Sequence, residues 1–351
     1  MTTTAHLVRR AIDAAEDGPT TGILGTVGHV YRDFAIAASH TTPESDEVAR
    51  VMAVMAKRGA KNVVMEVSSI AVSEGRVDGV HFRVAAFTNF TQDHLDYHGT
   101  MEAYGAAKAR LFHELAPGTA VVCVDSPFGA TLADDVETRH VHGVVRVSTS
   151  SVPSSAGTSG RHVDFAPIDV TFGPNGIEGR VHTPRGIVPL RSPLVGRHNL
   201  ENLLVTLGVV HALDLDVAKA ARALADEIGA PGRLERVSAA TDDVTVLVDY
   251  AHTPDALERV LDAVRGVSSG ALLCVFGCGG DRDAKKRAPM GEAAGNRATA
   301  SSSRTSNYAQ PPRGHRRRRS GPRGVGGEGH PRNPARFPPC VRCHPRSCTR
   351  D

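Results

Sequence analysis

Two short apolar runs, each followed directly by polar side chains, constrain the fold of this chain more than any other feature. The runs cover residues 63–67 and 84–90, and each is apolar on both faces, as strands inside a parallel sheet are. Polar groups gather at their carboxyl ends, namely Glu66, Ser68, Ser69, Thr88, Asn89, Asp93, His94, Asp96 and His98. Because ligands of an open α/β sheet bind outside the carboxyl ends of its strands, we expect these side chains to meet in one crevice.

A lysine lies on the apolar face of the helix that we predict to begin near Thr100. Lys108 shares that face with Tyr104, Leu111 and Phe112. The commoner outcome for such a lysine is that its stem packs while its ammonium reaches water. Alternatively, removal from water lowers the pKa of the amine and prepares it for chemistry such as carbamylation.

Glu66 and His94 form a candidate metal pair. A carboxylate and an imidazole beside hydroxyl groups suit Mg²⁺, which keeps several waters and meets substrate phosphates. Taken singly, each residue has an ordinary alternative, because a glutamate at a strand end is often solvated and a lone histidine is usually not a ligand. The pair in this setting favours the metal site.

Length and composition allow two or three domains and exclude a membrane span. The chain has 351 residues and no tryptophan, and no apolar run approaches the roughly 18 residues that a spanning helix needs. The first residues contain no apolar segment typical of a secretory signal. We therefore expect a cytoplasmic protein without a membrane partner.

Charge divides the chain into an acidic body and a basic end. Residues 297–351 contain 13 arginines, no lysine and two acids, for a net charge of +11, which leaves −8 of the total +3 for residues 1–296. With eight prolines and no hydrophobic periodicity, residues 297–351 are predicted to be a disordered tail.

Three interpretations of this tail remain open: a solvated basic tail, a nucleic-acid-binding tail, and a reading-frame error, which we favour. Serines encoded by TCN codons in segment 299–304 yield codons for Phe, Leu, Ile or Val when they are read one nucleotide earlier. The shifted frame would thus supply a buried strand where the second domain needs its next one.

Five strings in the correct order resemble the Mur ligase family, specifically ligases that add the third peptide residue to UDP-MurNAc-L-Ala-D-Glu. The strings are HTTPES at 40–45, MEVSS at 65–69, GRVDG at 75–79, TNFTQDHLDYHGTMEAY at 88–104 and AKARLF at 107–112. Such a series is far more specific than a single motif. The match departs from the family pattern at three positions, which are His40, Ile70 and Glu74.

The resemblance implies an α/β fold in which a central ATPase-type domain is followed by part of a Rossmann-like ligase domain. A GAPGR linker at 229–233 marks the boundary. We predict domains at 1–230 and 231–296, followed by the tail at 297–351. In the family, the first helix follows a strand and a Gly-Lys-Thr phosphate loop, and Met1 stands where that lysine would be. We therefore expect the chain to lack this strand and loop, and to be impaired or inactive.

The resemblance also implies roles for individual residues. Mg²⁺ would be held by Thr2, Glu66 and His94, and the catalytic residues would be His94 and a carbamylated Lys108. The residues expected to contact the UDP-sugar dipeptide are Thr41, Thr42, Ser68 and Arg76. The residues expected on the nucleotide side are Asn199, Asn202, Arg233, Asp249 and His252. Thr42 is also predicted as a helix N-cap with Pro43 following it, and capping is the simpler alternative for Asn199.

The implied reaction is ATP-dependent amide ligation. The γ-phosphoryl group of ATP passes to the D-Glu carboxylate, and the amine of diaminopimelate or lysine then displaces phosphate from the acyl phosphate. We expect a monomer without nucleic acid as a partner. The alternatives are another ligase of the superfamily, of the folylpolyglutamate or cyanophycin type, and a non-enzymatic nucleic-acid binder with a basic tail.

Overall fold

The computed structural model describes residues 1–91, 93–115, 118–139, 143–150, 162–173, 175–239, 241–278 and 286–304. The predicted tail from residue 305 onward therefore lies outside the described residues. No helix in the described ranges is both long and apolar enough to cross a membrane.

The first sheet has four strands in the order β3-β2-β1-β4. They are β1 (Thr21–Gly25), β2 (Gly28–Tyr31), β3 (Phe34–Ile36) and β4 (Asn62–Met65). β4 pairs with β1 in parallel, whereas the other pairs are antiparallel. Two helices pack on this sheet, α1 (Thr2–Ala15) and α2 (Ser45–Lys57). The spacing of Leu7, Val8 and Ile12 predicts a helix over residues 2–15, and α1 confirms it.

The second sheet is parallel, in the order β5-β6-β7. Its strands are β5 (Val84–Phe87), β6 (Thr119–Cys123) and β7 (Gly143–Val147). The covering helices are α6 (Pro127–Thr138) and α7 (Arg197–Ala212), whereas α8 (Val217–Ala223) packs against α1 and the strand at Gly186–Ser192. The largest apolar cluster joins this sheet to α1 and α7, with Leu7, Val121 and Leu204 almost fully excluded from solvent.

The two runs predicted to be buried strands become β4 and β5, but neither strand is fully buried. All four β4 residues are half-buried, and Ala86 of β5 is exposed. The two strands also belong to different sheets. Each lies at a sheet edge, so one side of each backbone has no strand partner among the described residues.

Polar turns and short helices connect these strands. They are α3 (Ser69–Ser73), α4 (Leu95–His98), α5 (Met101–Arg110) and a π-helical turn at Leu111–Leu115. Thr100 caps α5 by accepting a hydrogen bond from the Ala103 N–H at 3.2 Å, which confirms the predicted helix start. The prediction that Thr42 caps a helix is wrong. α2 begins at Ser45 after Glu44, because the Thr42 hydroxyl is already bonded to the turn after β4.

The turn sequences GPNG and TPRG predict a β-meander over residues 170–194, and an antiparallel sheet is present there. It contains β8 (Ala166–Pro167), β9 (Thr171–Gly173), β10 (Gly176–Thr183) and β11 (Gly186–Ser192). A short 3₁₀ turn at Leu224–Asp226 ends this part of the chain.

The last part of the described chain contains two small sheets and two helices. The elements are β12 (Glu235–Arg236), β13 (Leu247–Val248), α9 (Pro254–Arg265), β14 (Leu273–Gly277), α10 (Arg287–Arg297) and β15 (Ala300–Arg304). β15 lies within the segment predicted to be a disordered tail from residue 297, so the start of that tail was placed too early. Its backbone pairs in parallel with β14, and backbone pairing does not require apolar side chains. The reading-frame interpretation itself stays a prediction.

Candidate functional site

Glu66 occupies a buried polar pocket at the carboxyl end of β4. Its side chain accepts hydrogen bonds from the Thr2 hydroxyl at 2.8 Å and from the Thr26 N–H at 2.8 Å. The Thr26 hydroxyl lies 3.3 Å from the same carboxylate. Glu66 and Thr2 are both buried, so three donors hold a carboxylate away from bulk water, at the place where α1 begins.

A second group of polar residues adjoins Glu66 through the backbone. The Thr42 hydroxyl donates to the Glu66 carbonyl at 2.8 Å and accepts from the Ser68 N–H at 2.9 Å. Ser68 caps α3 by accepting from the Ala71 N–H. Arg76 donates to the Thr42 carbonyl at 3.1 Å. Thr42, Ser68 and Arg76 are thus brought together as predicted.

Two further features of this second group bear on ligand binding. Arg76 forms ion pairs with Glu44 at 3.2 Å and Glu74 at 2.5 Å, so its charge is already balanced in this structure. Thr41 is half-buried, and its hydroxyl oxygen lies 3.2 Å from that of Thr26. Thr41 therefore connects the second group to the residues around Glu66.

Lys108 belongs to a third group, built around Tyr104. The Lys108 Nζ lies 5.0 Å from the centre of the Tyr104 ring, as in a cation–π contact. Burial lowers the pKa of Lys108, and the negative charge of Asp93 partly opposes that change. Burial also raises the pKa of Tyr104 to about 12. The amine therefore lies in surroundings that favour its neutral, nucleophilic form.

His94 lies beside this third group but is turned toward Asp93. Its Nε2 is 3.5 Å from the Asp93 Oδ2, and its ring meets Tyr104 edge-on. Its backbone has a left-handed φ of 52°, a conformation that is uncommon for a residue other than glycine. Among the contacts between described residues, none joins His94 to Glu66.

His98 connects the third group to the turn after β4. Its Nε2 lies 2.9 Å from the Ser69 hydroxyl. Burial lowers the pKa of His98, and the charges of His94 and Lys108 lower it further. The charges of His94 and Lys108 therefore act on His98.

Met1 lies near the carboxyl ends of both strands. It is about half exposed, and it lines one cavity together with Glu66 and Thr88. Burial lowers the pKa of its α-amine, while the charge of Glu66 raises that pKa and the charges of Arg233 and Lys108 lower it. The carboxyl ends of β4 and β5 therefore face a common space.

The oxygen donors around Glu66 fit Mg²⁺, whereas the predicted histidine ligand is not beside them. A buried carboxylate and the Thr2 hydroxyl are ligands of the hard type that Mg²⁺ prefers. No cluster of three or more His, Cys, Asp or Glu side chains suited to a metal occurs in the described part of the chain. The residues present fit an ion that has few protein ligands and keeps its waters.

The predicted nucleotide residues form two sets that lie near Thr2 and Thr4. Asn199 donates to the Val195 carbonyl at 2.9 Å and accepts from the Asn202 amide at 3.0 Å. The Thr4 hydroxyl donates to Asn202 at 2.9 Å. Both asparagine side chains thus have partners at the start of α7. The N-cap of this helix is Gly196, and no side chain caps it, so the capping alternative for Asn199 is wrong.

The second set comes from the turns around β12 and β13. Arg233 lies 3.5 Å from the Thr2 hydroxyl and stacks on Tyr250 at 5.0 Å. Asp249 accepts from the Leu234 N–H and the Ala251 N–H, each at 2.8 Å. His252 is exposed, and its Nδ1 lies 3.0 Å from the Tyr250 carbonyl. Of this set, only Arg233 contacts the residues around Glu66.

Three groups at the site were missed from the sequence: Thr26, Glu201 and the Met1 amine. Thr26 follows directly after β1, so the rule that located Glu66 also applied to it. Glu201 lies in the second turn of α7, 3.5 Å from the Asn89 amide, and burial raises the pKa of its carboxyl group. Its signal was an acidic residue within an otherwise apolar helix.

Comparisons with known proteins agree on one family. Residues 1–210 match the family model of the Mur ligase middle domain, and residues 232–316 match that of the Mur ligase glutamate ligase domain. The chain is 46% identical over 297 residues to the UDP-N-acetylmuramoyl-L-alanyl-D-glutamate–2,6-diaminopimelate ligase of Synechococcus elongatus, and 42% identical over 289 residues to that of Pseudomonas aeruginosa. These matches cover 84% and 82% of this chain and 56% of each relative.

A solved structure of a ligase with the same name is similar to this chain with a TM-score of 0.67 and 30% identity. That match covers 85% of this chain and 58% of the solved one. A folylpolyglutamate synthase from Mycobacterium tuberculosis, with a TM-score of 0.62 and 18% identity, shares the fold. The chain thus spans a little more than half the length of the relatives it matches.

Proposed function

Because this chain belongs to the Mur ligase family, we propose that it serves the ATP-dependent ligation of an amino acid to UDP-MurNAc-L-Ala-D-Glu. The names of the curated relatives favour diaminopimelate over lysine as that amino acid. The observation that carries the proposal is the buried Glu66 carboxylate, held by Thr2 and Thr26 where the ends of β4 and β5 converge.

We propose that Thr2 and Glu66 bind Mg²⁺, with His94 as a further ligand if its side chain turns away from Asp93. A bound Mg²⁺ would neutralise negative charge on the phosphoryl group during its transfer, which is the main catalytic task in such reactions. The protein's own contribution is to orient the Glu66 carboxylate through its hydrogen bonds. Arg233 adds positive charge from the opposite side of Thr2.

Lys108 is proposed to act as a carbamate. Its uncharged amine would attack CO₂ to form an N–C bond, as one C–O double bond becomes single, and release one proton to solvent, which replaces a neutral amine by an anion. The lowered pKa of Lys108 and the nearby Tyr104 ring support this chemistry. The carbamate would then position the phosphate or the metal.

The remaining predicted roles stay proposals. Thr41, Thr42, Ser68 and Arg76 would bind the UDP-sugar dipeptide, since they share one surface beside Glu66. The residues proposed for the nucleotide are Asn199, Asn202, Arg233, Asp249 and His252. We also propose a cytoplasmic monomer with domain boundaries near residues 230 and 296.

A phosphate-release assay tests the function. The full chain is supplied with ATP, Mg²⁺, UDP-MurNAc-L-Ala-D-Glu and either diaminopimelate or lysine, beside a full-length relative. Release that needs every reactant, and is faster with diaminopimelate, supports the proposal. The rate relative to the full-length enzyme measures the impairment expected from the sequence.

Calorimetric binding keeps the proposal testable if turnover is too slow to measure. We expect Mg²⁺-dependent binding of ATP that weakens at least tenfold in Glu66→Gln and is unchanged in Glu102→Gln, whose side chain is exposed on α5. Absence of both phosphate release and binding of the UDP-sugar dipeptide would contradict the proposed function. Tight binding of folate substrates instead would favour another ligase of the superfamily.

A further inference from the structure

A cavity of about 530 Å³ separates β4 from β5 in the middle of the α/β layer. We call it the strand slot. Its side walls are residues 61–67 and 80–86 together with Thr88. The slot lies between the two sheets, and it does not depend on the function proposed above.

Both walls of the slot are strand edges with unused backbone hydrogen-bonding groups. β4 uses the N–H groups of Asn62 and Glu66 toward β1, so by the two-residue period of a strand Val63 and Met65 point their backbone groups the other way. On β5, the Arg83 carbonyl bonds to β6, which leaves Val84 and Ala86 facing the slot. Neither edge has another strand partner among the described residues.

The two edges run in the same direction. Glu66 follows the carboxyl end of β4 and bonds to Thr2 at 2.8 Å. Asn89 follows the carboxyl end of β5 and lies 3.5 Å from Glu201. Met1, Glu66 and Thr88, which follows β5 directly, all line the slot, so both carboxyl ends lie at the same end of it. A strand inserted between them would therefore be parallel to both.

Apolar helices cover both faces of the slot. On one face, Val64 and Val84 pack with the core cluster of α1 and α7. On the other, Val63 and Met65 pack with the cluster of α2, and Ala85 packs with that of α6. The slot is also lined by Ala5, Val8, Met52, Leu111 and Leu213 from the covering helices.

Incomplete burial marks the slot as a space that a further strand would fill. Strands of a parallel sheet with helices on both faces are normally buried, and β6, which has two neighbours, is buried at four of its five residues. In contrast, β4 is half-buried throughout and Ala86 is exposed. A guest strand would supply the missing neighbour to both β4 and β5.

We infer that the slot binds an extended apolar peptide segment as a strand parallel to β4 and β5. Backbone hydrogen bonds to Val63, Met65, Val84 and Ala86 would provide affinity, as in other cases of strand addition. Since both faces are apolar, the guest carries β-branched or small apolar side chains at successive positions. Its carboxyl end lies beside Met1.

A synthetic peptide tests this inference. The probe is acetylated and amidated, with the sequence Lys-Lys-Val-Val-Ala-Val-Thr, and the control peptide has proline in place of its alanine. With the full chain and probe at about one hundred times its Kd, we expect the melting temperature to rise by about 5 °C. The control peptide lacks one backbone N–H donor, because proline has none, and it should not raise the melting temperature.

Hydrogen exchange followed by NMR locates the bound peptide. Hydrogen exchange should slow at least tenfold at the backbone amides of Val63, Met65, Val84 and Ala86. The exchange rate of the Asn62 amide should not change, because this N–H already donates to the Thr20 carbonyl. Equal binding of both peptides, protection elsewhere, or no binding would each overturn the inference.

A pair of variants provides a second measurement. Ala86→Pro removes an N–H that faces the slot, and Ala86→Val keeps it. We expect at least tenfold weaker peptide binding by the first variant and near-normal binding by the second. The exchange measurement on the unmodified chain remains decisive if Ala86→Pro does not fold.

Discussion

At the scale of single residues, the site is organised by hydrogen bonds that converge on Glu66. The Thr2 hydroxyl and the Thr26 N–H reach the carboxylate from two different elements, α1 and the end of β1. A carboxylate accepts hydrogen bonds at both of its oxygen atoms, so Glu66 can accept from both donors. The residue therefore has a structural role in addition to its proposed role in metal binding.

Glu66→Gln is expected to lower the free energy of unfolding by about 2 kcal/mol, because one oxygen becomes an NH₂ group that faces a donor. Urea unfolding followed by circular dichroism measures the change. Glu102→Gln, at an exposed position of α5, serves as the control and should stay within about 0.5 kcal/mol of the unmodified chain. If both variants are equally stable, the Thr2 and Thr26 donors adapt to the substitution without loss of stability, and the prediction is contradicted.

Lys108 is expected to make stability rise with pH in the alkaline range. Burial lowers its folded-state pKa below the ordinary 10.5, so between these two values the unfolded chain binds more protons than the folded chain. The free energy of unfolding then increases as pH rises through that window. Lys108→Met should flatten this increase in urea midpoints measured up to pH 10, whereas the exposed control Lys57→Met should retain it.

Sequence reasoning located the site residues that follow strands and missed those whose placement depends on tertiary contacts. Glu66, Thr42 and Ser68 come together because strand ends and their turns share one edge of a sheet. The orientation of His94 depends on a left-handed backbone conformation and on Asp93, neither of which a motif specifies. Glu201 reaches the site only because α7 packs beside Asn89.

At the scale of elements, α5 is positioned by close packing as well as by its cap. A Cβ atom added to Gly105 would lie 2.7 Å from Phe128 and 3.3 Å from Phe90. These two rings stack on each other with centroids 4.2 Å apart. A glycine at this position therefore allows α5 to approach the aromatic layer that covers β5.

Gly105→Ala tests whether packing outweighs helix propensity. Alanine favours a helix by about 1 kcal/mol over glycine, but overpacking costs about 1–3 kcal/mol. Because the nearest atoms belong to a stacked pair of rings, we expect a net loss of about 1 kcal/mol. Gly291→Ala in α10, where a Cβ would meet nothing within 4 Å, should instead gain up to about 1 kcal/mol. Thermal unfolding of both variants provides the comparison.

The β-elements show a different limit of prediction. The two apolar runs were assigned correctly as strands, but their exposure depends on neighbours that lie far away in sequence. β15 was missed because its side chains, in ASSSR, carry no apolar signal, while its backbone pairs with β14 over five residues. Local composition thus predicts helices such as α1 and α5 better than it predicts polar edge strands.

At the scale of the whole molecule, charge separates the acidic body from the basic end. A chain that stops after Arg304 keeps every described element, so we expect its melting temperature to stay within about 2 °C of the full chain. If the basic end binds nucleic acid, the full chain should bind DNA with strong salt dependence, and the shortened chain should not. DNA binding is measured by fluorescence anisotropy at low and at high salt. A large drop in the melting temperature of the shortened chain would contradict the expectation that residues after Arg304 do not contribute to stability.

The position of Met1 has a practical consequence for handling this protein. Met1 is about half exposed, whereas Thr2, the next residue, is buried and bonded directly to the Glu66 carboxylate. A bulky group attached beside Thr2 would crowd this bond. Purification handles and fluorescent labels therefore belong at positions away from Thr2.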